Sequence, residues 1–323
     1  MKLATLATGR PDGRLLVVSR DLTRAAEAEA ADTLQDALDA WLEIEPRLTG
    51  QYRTLEGDPD AGFALDPAQL TAVMPRSYQF LDASAFLAHN HILAEAWGYE
   101  KRTPDDAPLV YQGLSDRFLA PHGPVSFRSA DDEIDFEAEY GVLTDRVPRG
   151  VGPQEALAHV KLLVLINDWS LRAFGPSEMK AGFGFLHAKP PSALSGIAVT
   201  PDELGAAWAD GRVCLPATIE RNGVLFGRPD GREMSYGFGD LVAHAATTRE
   251  LCAGTVFGSG TIANAHAAST GSGCIAERRA LDRLAGHDML TDYLRHGDRV
   301  AIDVVLDDGQ SMFGAIDQTI VID

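Results

Sequence analysis

Apolar residues in this chain fall mostly into short runs bounded by turn residues, with only a few stretches of helical period between them. Leu3 to Ala7 and Leu15 to Ser19 lie on either side of a Gly-Arg-Pro-Asp-Gly segment and predict a hairpin. From Thr33 to Leu48 the apolar positions Leu34, Ala37, Leu38 and Leu42 recur at helical spacing among acids, which predicts an amphipathic helix. A Gly- and Pro-containing stretch near Gly57 to Pro67 then marks a boundary region, placing a small domain at residues 1–75 and a larger one at 76–323. In the larger part Ser84 to Trp97 reads as a helix and Gln154 to His159 as a short one. Val213 to Glu220 and Val224 to Gly227 flank Arg221-Asn222-Gly223, and Asn-Gly suits the positive backbone angles of a tight hairpin turn. Arg299 to Leu306 and Ser311 to Ile322, joined by Asp307-Asp308-Gly309, predict a second hairpin. Paired strands without regularly alternating helices imply an α+β fold on antiparallel or mixed sheets. No repeat, no GxGxxG after a strand and no P-loop is present, so a nucleotide cofactor is not expected.

The segment Asp135-Phe-Glu-Ala-Glu139 stands out within this pattern. Glu137 and Glu139 are two apart in a strand-like stretch, so both side chains leave the same face of the pleat. Burying such a pair without a partner would cost several kcal/mol for each charge. A hard divalent cation removes that cost. Asp168 follows the apolar run Leu162-Leu-Val-Leu-Ile166 and Asn167, as if a buried strand delivered a carboxylate at its end. An acidic run such as Asp131-Asp132-Glu133 is more commonly a solvated edge, and that reading applies to the DFEAE segment taken alone.

Composition narrows the partners. At 323 residues and 45% hydrophobic content the chain can bury a full core. A net charge of -19 argues against nucleic acid or an anionic membrane, so any anionic substrate must meet a local basic pocket. Cys214, Cys252 and Cys274 are widely spaced, which suggests neither a disulfide framework nor a zinc site and points to a reducing compartment. No apolar stretch approaches the ~20 residues of a membrane span, and the expected location is the cytoplasm.

Other candidate residues are unremarkable when taken singly. Asp82 could cap the helix that follows it, His89 and His91 could be ordinary surface histidines, and Glu277 in Cys274-Ile-Ala-Glu-Arg-Arg could sit on a helix surface. Arg172 comes four residues after Asp168, and Lys189 sits in His187-Ala-Lys-Pro-Pro.

Taken together, YQFLD with a histidine seven residues on, VYQG, DFEAE, LINDWSLR, a downstream lysine, GSGTI, GCIAE, HGDRV and FGAIDQ resemble the fumarylacetoacetate hydrolase family. The resemblance runs from about Ser77 to Asp323, with NDWS and the preceding ExE pair its most specific part. It implies a mixed β-sandwich or β-roll catalytic domain. It further implies metal ligands at Asp82, Glu137, Glu139 and Asp168 for magnesium or calcium, with manganese also accepted. An all-oxygen shell suits hard cations rather than zinc or copper.

The same resemblance makes His89 and Glu277 a base pair that takes a proton from water, Arg172 and Lys189 the groups that stabilise an oxyanion, and Tyr111 and Thr261 substrate contacts. The implied reaction is hydrolysis of a carbon–carbon bond in a 1,3-diketo acid, such as fumarylacetoacetate in aromatic catabolism. Acylpyruvase, decarboxylase, isomerase and hydratase or dehydratase activities on a 2-oxo acid are the alternatives, followed by a catalytically silent metal-binding relative. A homodimer is expected. Two positions depart from the pattern: Gly175 stands where the family has a glutamine, and the region of Gly98 lacks an arginine that grips the substrate, with Lys101 or Arg102 nearby as substitutes.

Overall fold

A computed structural model describes residues 1–323. Its centre is an 11-stranded mixed sheet. Val160–Asn167 lies near the middle, between Ala138–Thr144 on one side and Ile197–Val199 on the other. Beyond Ala138–Thr144 come Val256–Gly258, Phe80–Ala83 and Val110–Gly113. Only the contact between Val256–Gly258 and Phe80–Ala83 is parallel within this row. A second, five-stranded sheet is built from Val224–Gly227, Thr218–Arg221, Arg299–Asp303, Ile316–Ile322 and His122–Phe127.

The apolar run of the Val160–Asn167 strand is explained by burial on both faces. Leu163 and Leu165 point into one core with Val142 of the neighbouring strand and with Val300, Ile302 and Ile320 of the second sheet. Leu162, Val164 and Ile166 point into another, shared with Trp41, Leu48 and Leu55 of the N-terminal helix Trp41–Gly57. A strand covered on both sides loses the apolar–polar alternation of a half-exposed one.

The first 75 residues enlarge the same sheet. Lys2–Leu6 pairs antiparallel with Arg14–Val18 as the predicted hairpin, and its other edge pairs with Ile197–Val199. Arg24–Glu27 and Phe63–Ala64 complete that side, so the Gly- and Pro-containing stretch contributes an edge strand as well as a connection. The helix predicted from Thr33 is two helices, Leu34–Asp39 and Trp41–Gly57, broken at Ala40 where the backbone leaves helical angles (φ -128, ψ 37). Thr33 and Asp36 form a capping box at the start of the first.

The Asn222-Gly223 turn has positive φ at both residues and joins Thr218–Arg221 to Val224–Gly227 as expected. Val213, however, belongs to a separate short strand, Arg212–Val213. The last hairpin pairs Arg299–Asp303 with Ile316–Ile322, and residues 304–315 form a longer connection than the Asp-Asp-Gly turn alone. Residues 153–157 form the short helix expected nearby. No helix is long and apolar enough to cross a membrane.

Because Leu165 is wholly buried between the two sheets, Leu165→Ala should lower unfolding stability by about 2–5 kcal/mol. Chemical denaturation followed by far-UV circular dichroism checks this, with a shifted midpoint at an unchanged slope.

Candidate metal centre and active site

Four chain segments converge at one end of the central sheet. Asp82 stands in Phe80–Ala83, between Gly258 on the parallel neighbour and Tyr111 on the antiparallel one. It lies within the sheet, and the helix after it starts only at Leu87 with Phe86 at its N-cap position, so Asp82 does not cap that helix. Glu139 is in Ala138–Thr144, opposite Ile166. Glu137 lies just outside that strand and instead bridges to Cys274, because the DFEAE segment crosses between two sheets there. Asp168 follows directly on Val160–Asn167. Its flanking residues are clamped from the second sheet: Asn167 Nδ2 and Trp169 Nε1 both donate to Gln318 Oε1, at 3.3 and 3.2 Å.

The result is a buried cluster in which carboxylate oxygens of Asp82, Glu137, Glu139 and Asp168 lie within 4.8 Å of one another. Gly258 permits this approach. A Cβ there would stand 2.2 Å from Asp82 Oδ1 and 2.7 Å from Glu139 Oε2.

The four acids are not equally satisfied. Asp168 accepts from Ser192 Oγ at 2.5 Å, from Tyr111 OH at 2.7 Å and from the Lys189 ammonium. Glu137 lies 3.1 Å from Lys189 Nζ and 2.6 Å from Arg172 Nη2. Burial alone would raise the Glu137 pKa, but Lys189, Arg172 and His89 outweigh burial and hold it well below the usual carboxylate range. Lys189 is held charged in turn, since Asp168 and Glu137 outweigh its burial. The opposite corner has no cation. Burial first, then the neighbouring Asp168, push Asp82 up to about 8. Burial followed by Asp82 and Asp168 pushes Glu139 well above its ordinary value, and both its oxygens lack any partner. Four carboxylates against Lys189 and Arg172 leave a formal charge of -2 when all are ionised.

These observations fit a hard divalent cation. The donors are oxygen only, and the orphaned Glu139 oxygens need a positive partner.

Beside the cluster, His89 Nδ1 lies 2.7 Å from Glu277 Oε2. His89 is in the helix Leu87–Trp97 and Glu277 in Ile275–Leu284. Glu277 is fully buried, whereas the His89 side chain keeps 14% of its exposure. A carboxylate only accepts, so the contact places the ring proton on Nδ1 and leaves the Nε2 lone pair free.

The remaining expected residues are distributed as follows. The Tyr111 hydroxyl is engaged by Asp168, its ring meets Phe185 edge-on at 5.1 Å, and Lys189 Nζ lies 5.5 Å above it. Thr261 is buried with an unpartnered hydroxyl. Gly98 is the left-handed cap of the helix bearing His89, and Gly175 opens the helix Gly175–Ala181. Neither proposed substitute is directed by its contacts to the cluster: Lys101 pairs with Glu95, and Arg102 donates to the Ala107 carbonyl. Ser170 and Gln318 lie in the NDWS and FGAIDQ motifs but were given no role there, and Ser192 lies in no motif, because a hydroxyl or amide that supports a charged neighbour carries no spacing signal of its own. Asp135, the first residue of the DFEAE segment, is completely buried.

With this geometry in place, comparison with known proteins identifies the class. Residues 80–321 match the family model described as fumarylacetoacetate (FAA) hydrolase C-terminal, and residues 1–76 match fumarylacetoacetase N-terminal domain 2. The chain belongs to the fumarylacetoacetate hydrolase family. Among solved structures it resembles a fumarylacetoacetate hydrolase from the psychrophilic Exiguobacterium antarcticum, at 18% identity and TM-score 0.66 over 100% of both chains. It also resembles a 5-carboxymethyl-2-hydroxymuconate delta-isomerase from Mycobacterium smegmatis, at 17% identity and TM-score 0.63, covering 100% of this chain and 99% of that one. At such identities the likeness establishes the fold. No curated protein matches this sequence.

Glu139→Gln separates the electrostatic roles. It should raise the Tm of the metal-free protein by roughly 2–4 °C, because a buried unpaired acid is replaced by a neutral group. It should also abolish the further Tm increase that wild type shows with millimolar magnesium, manganese or calcium. Gly258→Ala should likewise abolish the metal response, without raising the metal-free Tm. Thermal denaturation with and without each ion checks both.

Proposed function

We propose that this protein is a divalent-metal-dependent hydrolase that cleaves a carbon–carbon bond in a 1,3-diketo acid. The observation that carries this reading is the 2.7 Å His89–Glu277 pair beside the four-carboxylate cluster. A bound magnesium, calcium or manganese ion, held by Asp82, Glu137, Glu139 and Asp168, would supply Lewis-acid polarisation of the substrate's oxo-acid oxygens.

The chain's own residues do the rest. Glu277 orients the imidazole and stabilises its charge, so that His89 Nε2 takes the proton from an attacking water. Lys189 and Arg172 place two fixed positive charges beside the carboxylates, where negative charge on the substrate oxygen is favoured as it develops. Tyr111 and Thr261 supply hydroxyls for the substrate's carboxylate or carbonyl oxygens, Tyr111 from its position on Asp168 and Thr261 from an unpartnered one. The water oxygen adds to the distal carbonyl carbon, and the carbon–carbon bond breaks with its electron pair departing on the enolate carbon. Lys189 protonates that carbon and is recharged by the proton His89 took from water, giving a carboxylic acid and a ketone or keto acid.

The pair also bears on the rival activities. Isomerisation or decarboxylation of a 2-oxo acid in the same cup does not require a water-activating base, whereas hydrolysis does. The solved structures it resembles include both an isomerase and a hydrolase, which keeps the isomerase as the second reading. Cytoplasmic location, a homodimer and a division of the chain near residue 75 belong to the same proposal; three unpaired cysteines support the first and family resemblance the second.

Turnover measured on fumarylacetoacetate, acylpyruvates and 2-oxo-3-deoxy acids with magnesium should show a carboxylic acid product from a diketo acid. Release of carbon dioxide or an isomerised product without hydrolysis would replace this reading with its rival. His89→Ala should lower kcat by about 10²–10⁴-fold while leaving metal binding near normal. Unchanged turnover in that variant would remove His89 from the mechanism.

A further inference from the structure

Asp135 has no role in the reading above, yet it is fully buried and its carboxylate serves two separate parts of the site. On one side Arg172 Nε donates to Asp135 Oδ2 at 2.9 Å, and Arg172 Nη2 lies 2.8 Å from the same oxygen. That guanidinium also faces Glu137. On the other side the backbone N–H groups of Ile275 and Ala276 donate to Asp135 Oδ1 and Oδ2, at 2.8 and 2.9 Å.

Those amides are the first two of the helix Ile275–Leu284, which has Cys274 at its N-cap. A helix start leaves such donors without intrahelical acceptors. Here Asp135 takes both, and Cys274 Sγ accepts from the next amide, that of Glu277 itself, at 3.4 Å. The backbone carrying Glu277 is thereby fixed to the sheet crossing that carries Glu137.

We infer that Asp135 is a positioning residue, one carboxylate that sets both the Arg172 guanidinium against Glu137 and the Glu277 carboxylate against His89. The inference rests on the His89–Glu277 reading for its effect on turnover, but its structural content is independent of which reaction occurs. Arg172 alone could be held by Glu137, and the helix start alone could be capped by Cys274. Only Asp135 contacts both, so the base and the cationic side of the site share one anchor.

Asp135→Asn keeps an acceptor for one helix amide but cannot ion-pair with Arg172, and Asp135→Ala loses every contact. Both should lower kcat, by about 10–100-fold for the asparagine variant and more for alanine, with a smaller change in KM. In a Glu277→Gln background the fall in kcat caused by Asp135→Asn should shrink to a few-fold or less, since part of its effect is already lost. An undiminished effect there would overturn the coupling to Glu277. A proton spectrum supplies a readout that depends on no reaction: the downfield Nδ1–H signal of His89, assigned by its loss in His89→Ala, should weaken or broaden in both Asp135 variants. An unaltered signal would refute the positioning of Glu277.

If the variants do not fold, hydrogen exchange on wild type decides. Ile275 and Ala276 amides should exchange as slowly as those of the adjoining strand Ala138–Thr144, although first-turn amides ordinarily exchange fast. Rapid exchange at both would overturn the inference. Failure of the diketo acid assay with a perturbed His89 signal would instead discard the proposed reaction and leave the role of Asp135 standing.

Discussion

The mutual repulsion of four buried carboxylates is the constraint on which the rest of this structure turns. Asp82, Glu137, Glu139 and Asp168 bring their oxygens within 4.8 Å of one another in a region closed to solvent. No arrangement of backbone alone makes that favourable. Lys189 and Arg172 stabilise the half containing Glu137 and Asp168, whereas Asp82 and Glu139 are left with raised pKa values and both Glu139 oxygens are orphaned. The asymmetry leaves unmatched negative charge on the side of Asp82 and Glu139, where a divalent cation would fit.

Holding such a cluster together requires a rigid frame, and the two-sided burial of the central sheet provides one. The Val160–Asn167 strand is packed on both faces and ends in Asp168, whose neighbours Asn167 and Trp169 are clamped by Gln318 from the second sheet. Gly258 removes the one side chain that would separate Asp82 from Glu139. The His89–Glu277 pair is set on helices instead of strands. There the local problem is different, because a helix can shift along its axis unless its start is tied down. The bonds from Ile275 and Ala276 to Asp135 do that and join the helix to the segment that carries Glu137.

Much of this was legible in the sequence. Glu137, Glu139 and Asp168 could be recognised as acids in apolar company, and the hairpins at Gly9–Gly13 and Asn222–Gly223 followed from turn chemistry. Elsewhere local signals misled. The periodicity from Thr33 to Leu48 runs through the break at Ala40, since a kink that preserves the buried face leaves no trace in the pattern. Ser84 and its neighbours read as helix although they connect a strand to a helix beginning at Leu87. Asp82 looked like a cap because its place in the sheet depends on strands at residues 110–113 and 256–258, far away in sequence.

By itself, the sequence determined the kinds of chemistry available: hard oxygen donors, a histidine, two cations and no nucleotide-binding loop. It also determined the family, through motifs whose residue types and spacing are specific when taken together. Tertiary structure decided which of these groups meet, because Asp82, Tyr111, Glu139, Asp168 and Lys189 come from segments whose proximity is fixed only by sheet pairing. It also decided which charges are matched and which are left bare. The pairing of Glu277 with His89, and the double duty of Asp135, depend on contacts across 188 and about 140 residues of chain, beyond the reach of any local pattern.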